Sequence, residues 1–347
     1  MWTTTRARVP TREHLKTLAD RCARPEGCRK EGSTATERRP GILPRAIRGS
    51  PAAGFPEGLG DVLTRRRFLK NASLSSLGVV VSGRASAVTA DLPGIRRVRL
   101  DLPDLPLPWD GLRIAQVSDV HAGPYMPEAR MRRVRDLVAS LDADLVVFTG
   151  DQMDRRPGDA ASFAAGFAGV NAPLGVYGIL GNHDHLVGAE LATQALAEAG
   201  IRPLVNDVAT FRRGGAPLAL VGVDDITAGP AETGGGARFE LIRQHPNAFR
   251  ICLCHQPLGW PQAHRWGAHV TLAGHTHGGQ IALTTRTLNV ARLHTRWIAG
   301  PYRREDSFLY VSRGIGVGAV PLRVGAPPEI DLITLRRPAA VAIRNAA

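Results

Sequence analysis

At 347 residues, 44% of them apolar, the chain is long enough to bury a sizeable core and is composed like a globular protein. Its net charge of +13 is uneven: residues 1–90 hold 17 Lys or Arg against 7 Asp or Glu, the remainder 27 against 24, and all three lysines (Lys16, Lys30, Lys70) lie in the front segment. A lysine-free remainder excludes a Walker A lysine and Schiff-base chemistry there, and it lacks the basic footprint of a nucleic-acid-binding domain, so no nucleic-acid partner is expected. Four cysteines do not make a disulfide framework at this length. Cys252 and Cys254 are spaced i, i+2 in an apparent strand, share a face, and are not expected to bridge each other.

Residues 1–60 are rich in Arg, Pro, Gly and Thr without periodicity, and read as disordered or as an over-long N-terminal extension. Within 61–90 come Thr64-Arg65-Arg66-Arg67-Phe68-Leu69-Lys70, a weak apolar stretch through Leu74, Leu77 and Val79 to Val81, and the small-residue site Ala85-Ser86-Ala87. This segment resembles the bacterial twin-arginine export signal. The resemblance implies the twin-arginine export machinery as a partner, cleavage after Ala87 or Ala90, and a periplasmic or other extracytoplasmic location. The apolar stretch is shorter than the roughly 20 residues a spanning helix needs. Left uncleaved, it would serve as a membrane anchor and make the protein peripherally membrane-associated. The route carries proteins already folded.

From Asp91 the chain reads as one domain to residue 337, followed by a tail at 338–347. After an extended stretch punctuated by Pro103, Pro106 and Pro108, Leu112 to Val117 is a short strand delivering Ser118-Asp119-Val120-His121. Alternation places Asp119 and His121 on one side. Pro127 opens a helix with Met131, Val134, Leu137, Val138 and Leu141 at helical spacing, and Arg130, Arg132, Arg133 and Arg135 are expected in solvent around its other face. Leu145 to Thr149 is a buried strand delivering Gly150-Asp151-Gln152-Met153-Asp154, and a helix is expected from Ala160 to about Gly169. Gly175 to Leu180 delivers Gly181-Asn182-His183-Asp184. A helix from about Gly188 to Ala199, ended by Gly200, leads to strands near Ile201 to Val205, Thr210 to Arg213 and Leu218 to Val223; Thr233 to Ala237 is a Gly-rich loop. Phe249 to Cys254 delivers His255-Gln256-Pro257, and Val270 to Ala273 delivers Gly274-His275-Thr276-His277. The last strands are Phe308 to Val311 and Glu329 to Leu335. Strands alternating with helices predict an α/β fold, in which ligands gather outside the carboxyl ends of the strands.

Those strand ends carry Asp119, His121, Asp151, Asn182, His255, His275 and His277. Divalent Mn, Fe or Zn takes imidazole and carboxylate together, and seven candidate ligands are too many for one tetrahedral ion. Two ions are implied, with a carboxylate between them to offset their repulsion, and Asp151 is the natural bridge. His183 is then left to hydrogen-bond a substrate oxygen, with Asp184 as the partner expected to orient its ring and favour the imidazolium form.

The ordered blocks Asp-x-His, Gly-Asp-x-x-Asp, Gly-Asn-His-Asp, His-x-Pro and Gly-His-Thr-His resemble those of the calcineurin-like metallophosphoesterases. Gly274 to Gln280, Val311 to Gly316 and Pro328-Glu329-Ile330 look like a bacterial branch of exported or membrane-bound phosphodiesterase-like enzymes. The likeness covers residues 91–337. It implies a four-layer αββα sandwich, two mixed sheets flanked by helices, with a binuclear site at the strand ends. Asp119, His121, Asp151 and His277 would hold one metal, and Asp151, Asn182, His255 and His275 the other. His183 would be the acid for the leaving group, and metal-bound hydroxide would attack phosphorus in line.

The implied function is a phosphodiesterase acting on a cell-envelope phosphoester, lipid-linked or not. The alternatives are a phosphomonoesterase, a UDP-2,3-diacylglucosamine hydrolase-like pyrophosphatase of lipid A synthesis, and a non-catalytic metal-binding or membrane-surface protein. Arg313 and Arg323 are candidates to bind a substrate phosphate. His185 stands where this branch more often has an aromatic residue and reads as a rim histidine hydrogen-bonded to solvent. Asp154 reads as support for its loop, Asp224 and Asp225 as loop caps, and His245, His264, His269 and His294 as surface or packing histidines.

Overall fold

The computed structural model describes residues 92–229, 236–282, 289–318 and 321–338, and the backbone of 85–87. The chain divides into two units, Met1–Ser76 and Leu77–Ala347, and every described residue belongs to the second. The extension over 1–60, the arginine motif and apolar stretch of the export signal, most of the Thr233 to Ala237 loop and the end of the tail lie outside the described residues.

Fourteen strands are present among the described residues: β1 Ala85–Ala87, β2 Gly94–Asp101, β3 Arg113–Val117, β4 Leu145–Thr149, β5 Val176–Ile179, β6 Arg202–Pro203, β7 Asp207–Arg213, β8 Ala216–Gly222, β9 Phe249–Leu253, β10 Val270–Ala273, β11 Gly300–Arg304, β12 Ser307–Val311, β13 Leu322–Val324 and β14 Glu329–Arg336. The helices are α1 Glu128–Ala139, α2 Pro157–Phe167, α3 Asn182–Val187, α4 Ala189–Glu198 and α5 Trp260–Arg265. One six-stranded sheet runs β2-β14-β3-β4-β5-β6 and the other β11-β12-β10-β9-β8-β7, while β1 and β13 form a separate antiparallel pair. Both large sheets are mixed. β3 to β6 are parallel to one another, as are β8, β9, β10 and β12, with antiparallel pairing at β3–β14, β7–β8 and β11–β12.

The layers follow from side-chain alternation. Leu145 and Val147 of β4 face the opposite sheet and join a core with Ile114, Leu220, Ile251, Leu253, Leu272 and Tyr310. Val146 and Phe148 face the other way, into a core shared with Met131, Val134, Phe163, Phe167 and Leu196 of the helices. Phe148 meets the rings of Phe163 and Phe167 edge-on at 6.0 and 5.0 Å. A strand buried on both faces reads as the unbroken apolar run seen in the sequence. On the outer face of the second sheet, Val221 and Cys252 pack with Phe239, Ile242 and Ala263. The result is two mixed sheets face to face with helical layers outside them, the expected α/β sandwich.

Several differences have local causes. α2 begins three residues earlier than its apolar spacing suggested, because the Asp159 carboxylate accepts from the backbone N–H of Arg156 at 2.8 Å and of Arg155 at 3.2 Å, capping Pro157 at the first turn. β2 is a full edge strand paired parallel to β14 where only an extended stretch was expected; three arginines in eight residues obscure its alternation. Arg130 is buried, not solvated, and its Nη1 donates to the Tyr125 carbonyl at 3.1 Å. Cys252 and Cys254 are both free and buried, as the strand spacing required.

Leu272 is fully buried between the sheets. Leu272→Ala is expected to lower the unfolding free energy by about 2–5 kcal/mol in a denaturant titration; a loss under about 1 kcal/mol would mean that the two sheets do not share this core.

Candidate metal centre

β3, β4, β5, β9, β10 and β12 all deliver their carboxyl ends to the same place. The loops leaving them are locked to one another: Asp119 N–H donates to Gly150 O at 3.0 Å, His121 N–H to Asp151 O at 3.0 Å, Gly274 N–H to His255 O at 2.9 Å and Ser312 N–H to Ala273 O at 2.8 Å. Nine non-glycine residues among those described have positive φ, and Asp119, His121, Asp151, His275 and His277 are five of them. Left-handed backbone costs an L-residue on the order of 1 kcal/mol, and it concentrates where the surroundings enforce it for function. Here the interlocked loops enforce it, and strand alternation does not set the direction of Asp119 and His121.

Asp151 sits at the middle. Its Oδ1 accepts the backbone N–H of His183 at 2.9 Å. Its Oδ2 lies 3.3 Å from His255 Nε2 and 3.6 Å from His121 Nε2. On one side of it, His121 Nε2 and His277 Nε2 are 3.1 Å apart and His277 Nε2 is 3.5 Å from Asp119 Oδ1. On the other, His255 Nε2 is 3.2 Å from both Asn182 Oδ1 and His275 Nδ1. All seven predicted ligands are therefore brought together: Asp119, His121 and His277 form one cluster and Asp151, His255 and His275 another with Asn182 beside it, while Asp151 also groups with His121 and His183 and so links the two.

The donor set fits metal. His255 Nδ1 donates to Thr149 O at 2.8 Å, which fixes the tautomer and turns the Nε2 lone pair toward the oxygens of Asp151 and Asn182. Electron-pair donors converging this closely call for a cation among them. The protonation equilibria express the same demand. Burial opposes charge on His255, but the Asp151 carboxylate, with Asp119 and Asp225, raises its pKa to about 10. Burial alone would raise the Asp151 carboxyl, yet His255, His121 and His183 hold it well below the usual carboxylate range. Burial lowers His275, helped by the charge of His255, and lowers His277 strongly, helped by His121 and Arg323, leaving both as neutral rings able to ligate.

Residues 112–279 match the calcineurin-like phosphoesterase family. The metallophosphoesterase YkuE of Bacillus subtilis is 31% identical over 67% of this chain and 82% of its own length. The chain belongs to the calcineurin-like metallophosphoesterases. A bovine transmembrane protein with a metallophosphoesterase domain is 31% identical over 79% of this chain, which spans 64% of that relative's length. The UDP-2,3-diacylglucosamine pyrophosphatase LpxG of Chlamydia muridarum is 26% identical over 69% of this chain and 88% of its own. This metallophosphoesterase is accordingly a metal-dependent phosphoester hydrolase.

The remaining site residues are less as expected. His183, on α3, lies edge-on to the His121 ring at 4.6 Å, and its Nδ1 donates to the Asp154 carbonyl at 2.7 Å. Asp154 Oδ1 stands 3.7 Å from His183 Nδ1 and 3.4 Å from His121 Nδ1, so Asp154 backs both rings. It takes the place foreseen for Asp184. Asp184 is instead fully buried and accepts from the backbone N–H groups of Gly181 at 2.9 Å and Met153 at 3.1 Å, fastening the first turn of α3 to the Asp151 loop. Burial and the nearby Asp151 charge raise its pKa to about 7 against those two N–H donors.

His185 is not a solvent-bonded rim residue: its Nε2 meets Asp224 Oδ1 at 2.7 Å, a pairing that joins α3 to the end of β8. Asp225 caps its loop, accepting from Thr227 N at 2.8 Å and Gln256 Nε2 at 2.9 Å. Arg323 is not available to substrate, being fully buried with its donors on backbone carbonyls. Arg313 is half-buried and its Nη1 is held by Glu329 Oε2 at 2.9 Å. Glu329 was visible only as part of Pro328-Glu329-Ile330, with nothing in sequence to pair it with Arg313.

His269 packs flat on Phe249 at 4.6 Å and His264 faces Glu305 at 3.5 Å, both remote from the centre. His294 is the exception among the histidines read as bland, since with His275 and His277 it lines a cleft of about 270 Å³.

Gly181 has no room for a side chain, because a Cβ there would collide with Asp151 Oδ1. Gly181→Ala is expected to lose at least one equivalent of bound metal and at least about tenfold in activity, measured by plasma mass spectrometry on the purified protein. Full metal content would contradict the close packing of the Asp151 and Asn182 loops.

Proposed function

We propose that this metallophosphoesterase is a binuclear phosphodiesterase that acts, after twin-arginine export, on a lipid-linked phosphoester of the cell envelope. The observation that carries the binuclear part is the position of Asp151 Oδ2, 3.3 and 3.6 Å from one imidazole of each cluster. The mixture of imidazole, carboxylate and amide oxygen suits Mn²⁺, Fe²⁺ or Zn²⁺. Asp119, His121, Asp151 and His277 would hold one ion and Asp151, Asn182, His255 and His275 the other. Bound there, two such ions activate water and offset the charge of the phosphoryl oxygens.

The chain's own residues do the rest. With Nδ1 of His183 engaged by Asp154 O, Nε2 is the nitrogen left to deliver a proton to the leaving oxygen, and the Asp154 carboxylate, 3.7 Å behind the ring, helps to orient it. Preference for a diester is supported by the arginines: a monoester carries an extra negative charge, yet Arg323 is buried and Arg313 is tied to Glu329.

Lipid linkage is supported by apolar side chains exposed close in sequence to the ligands. Of the seven exposed large apolar side chains among the described residues, Tyr125, Leu186, Leu258 and Ile281 stand on segments that have just delivered a ligand. Leu293 precedes in sequence His294, which lines the cleft. Leu186 is 71% and Leu293 84% exposed. The relative LpxG, named for a diacylated sugar nucleotide, points to the same substrate class. Export is supported by the Arg65 to Lys70 motif; Ala85-Ser86-Ala87, read as a cleavage site, forms strand β1 against β13 instead.

With Mn²⁺ supplied, bis-p-nitrophenyl phosphate is expected to turn over faster than p-nitrophenyl phosphate; the reverse order would make the protein a phosphomonoesterase. His183→Ala should depress hydrolysis of alkyl esters about 10²- to 10⁴-fold and of nitrophenyl esters far less, because nitrophenolate leaves with little need of a proton. Equal losses on both would remove His183 from the acid role.

A further inference from the structure

Arg323, in β13, is among the largest fully buried side chains of the protein. Burial pushes its pKa down to about 10, which leaves it charged at neutral pH. A buried cation usually faces a carboxylate. This guanidinium faces carbonyls: Nε and Nη2 donate to Gly316 O at 2.8 and 2.6 Å, and Nη1 to Arg313 O at 2.8 Å, Ala326 O at 3.2 Å and His277 O at 3.4 Å. Nη2 also lies 3.1 Å from His277 Nδ1.

Three of these four carbonyls belong to two walls of the centre, and Ala326 O to Arg323's own segment. The 314–316 segment is the backing of Asp119: Gly316 N–H donates to Asp119 O at 2.8 Å, Ile315 N–H to Ser118 O at 3.0 Å, and Gly314 lies so close that a Cβ on it would stand 2.6 Å from the Asp119 Cβ. The other wall carries His277, whose Nε2 is 3.5 Å from Asp119 Oδ1.

We propose that Arg323 is a positioning residue of the metal centre: its guanidinium clamps the loop behind Asp119 to the loop that carries His277, and so sets the separation of these two ligands. With Nε2 of His277 as a metal ligand, Nδ1 would carry the ring proton and repel the Nη2 N–H that faces it at 3.1 Å, so that contact would have to open slightly while Nη2 keeps Gly316 O, and the clamp would rest on the carbonyls. Only a planar fork reaches Gly316, Arg313 and His277 together; a lysine ammonium is a single point of charge on a flexible stem. The inference rests on the binuclear reading, with Asp119 and His277 serving one ion and Asn182, His255 and His275 the other.

The test uses the full chain reconstituted with Mn²⁺ alone. Metal stoichiometry and affinity are measured by titration, and the electron paramagnetic resonance spectrum is recorded for wild type, Arg323→Lys, Arg323→Met and Arg250→Met. Arg250 supplies the control because it likewise binds carbonyls, of Gly267 at 2.7 Å and Pro246 at 2.9 Å, on the far side of β9 and β10 from the ligands. Wild type should bind two ions with a spin-coupled signal. Both Arg323 variants should bind one ion about 10- to 100-fold more weakly and show the six-line signal of isolated Mn²⁺, while Arg250→Met keeps the coupled signal at any equal loss in Tm.

Two tightly bound, coupled ions in Arg323→Lys would overturn the proposal. So would a loss of metal that follows Tm equally in Arg323→Met and Arg250→Met. A single ion in wild type would overturn the binuclear reading instead, and the clamp would then be decided by whether Arg323→Lys weakens that ion.

Discussion

The structure depends on what surrounds Asp151. A carboxylate oxygen, an amide oxygen and four imidazole nitrogens from five strand ends converge within 3.1–3.6 Å of their neighbours, nearly out of reach of water. Such a cluster of electron-pair donors is tolerable only around positive charge. The carboxylates of Asp151 and Asp119 raise the His255 pKa against the effect of burial, in the same sense. Metal ions supply that charge because each accepts several donors at once. The fold therefore spends stability at this end, and the two packed cores below carry the cost.

Holding the cluster requires backbone that ordinary strands do not supply. The left-handed turns at Asp119, His121, Asp151, His275 and His277 swing each side chain inward just past its strand. Glycines at 150, 181, 274 and 314 allow neighbouring loops to touch at distances no Cβ would permit. Each loop's backbone polarity is satisfied by the next loop, so the ligands are fixed by a ring of mutual hydrogen bonds. Asp184, Asp154 and Arg323 belong to that ring, since each holds the backbone or the ring edge of a ligand-bearing segment.

This division explains what was legible in the sequence. The seven ligands could be read because each follows an apolar run whose length and end are visible, and because parallel strands bring such ends to one edge. The strands that were read lie within about three residues of their observed bounds; four were not read: β2, whose arginines hide its pattern, β11, too exposed to show one, and the three-residue β1 and β13. The supporting residues could not be read, because their partners are distant in sequence and their polar character is compatible with solvent. His185 and Asp224 meet across 39 residues, and Arg323 meets the His277 carbonyl across 46. Asp184 misled for the opposite reason: adjacency to His183 suggested a partner, whereas the helical turn beginning at Asn182 points neighbouring side chains apart. Burial of Arg130 and Arg323 likewise had no local signature.

The central claim is that Asp151 is shared by two metal ions. Anomalous diffraction at the manganese edge, from crystals of the protein grown with Mn²⁺, tests it most directly. The account predicts two peaks roughly 3.5–4 Å apart with Asp151 Oδ2 between them. One peak, or two peaks with Asp151 bound to neither, would contradict it.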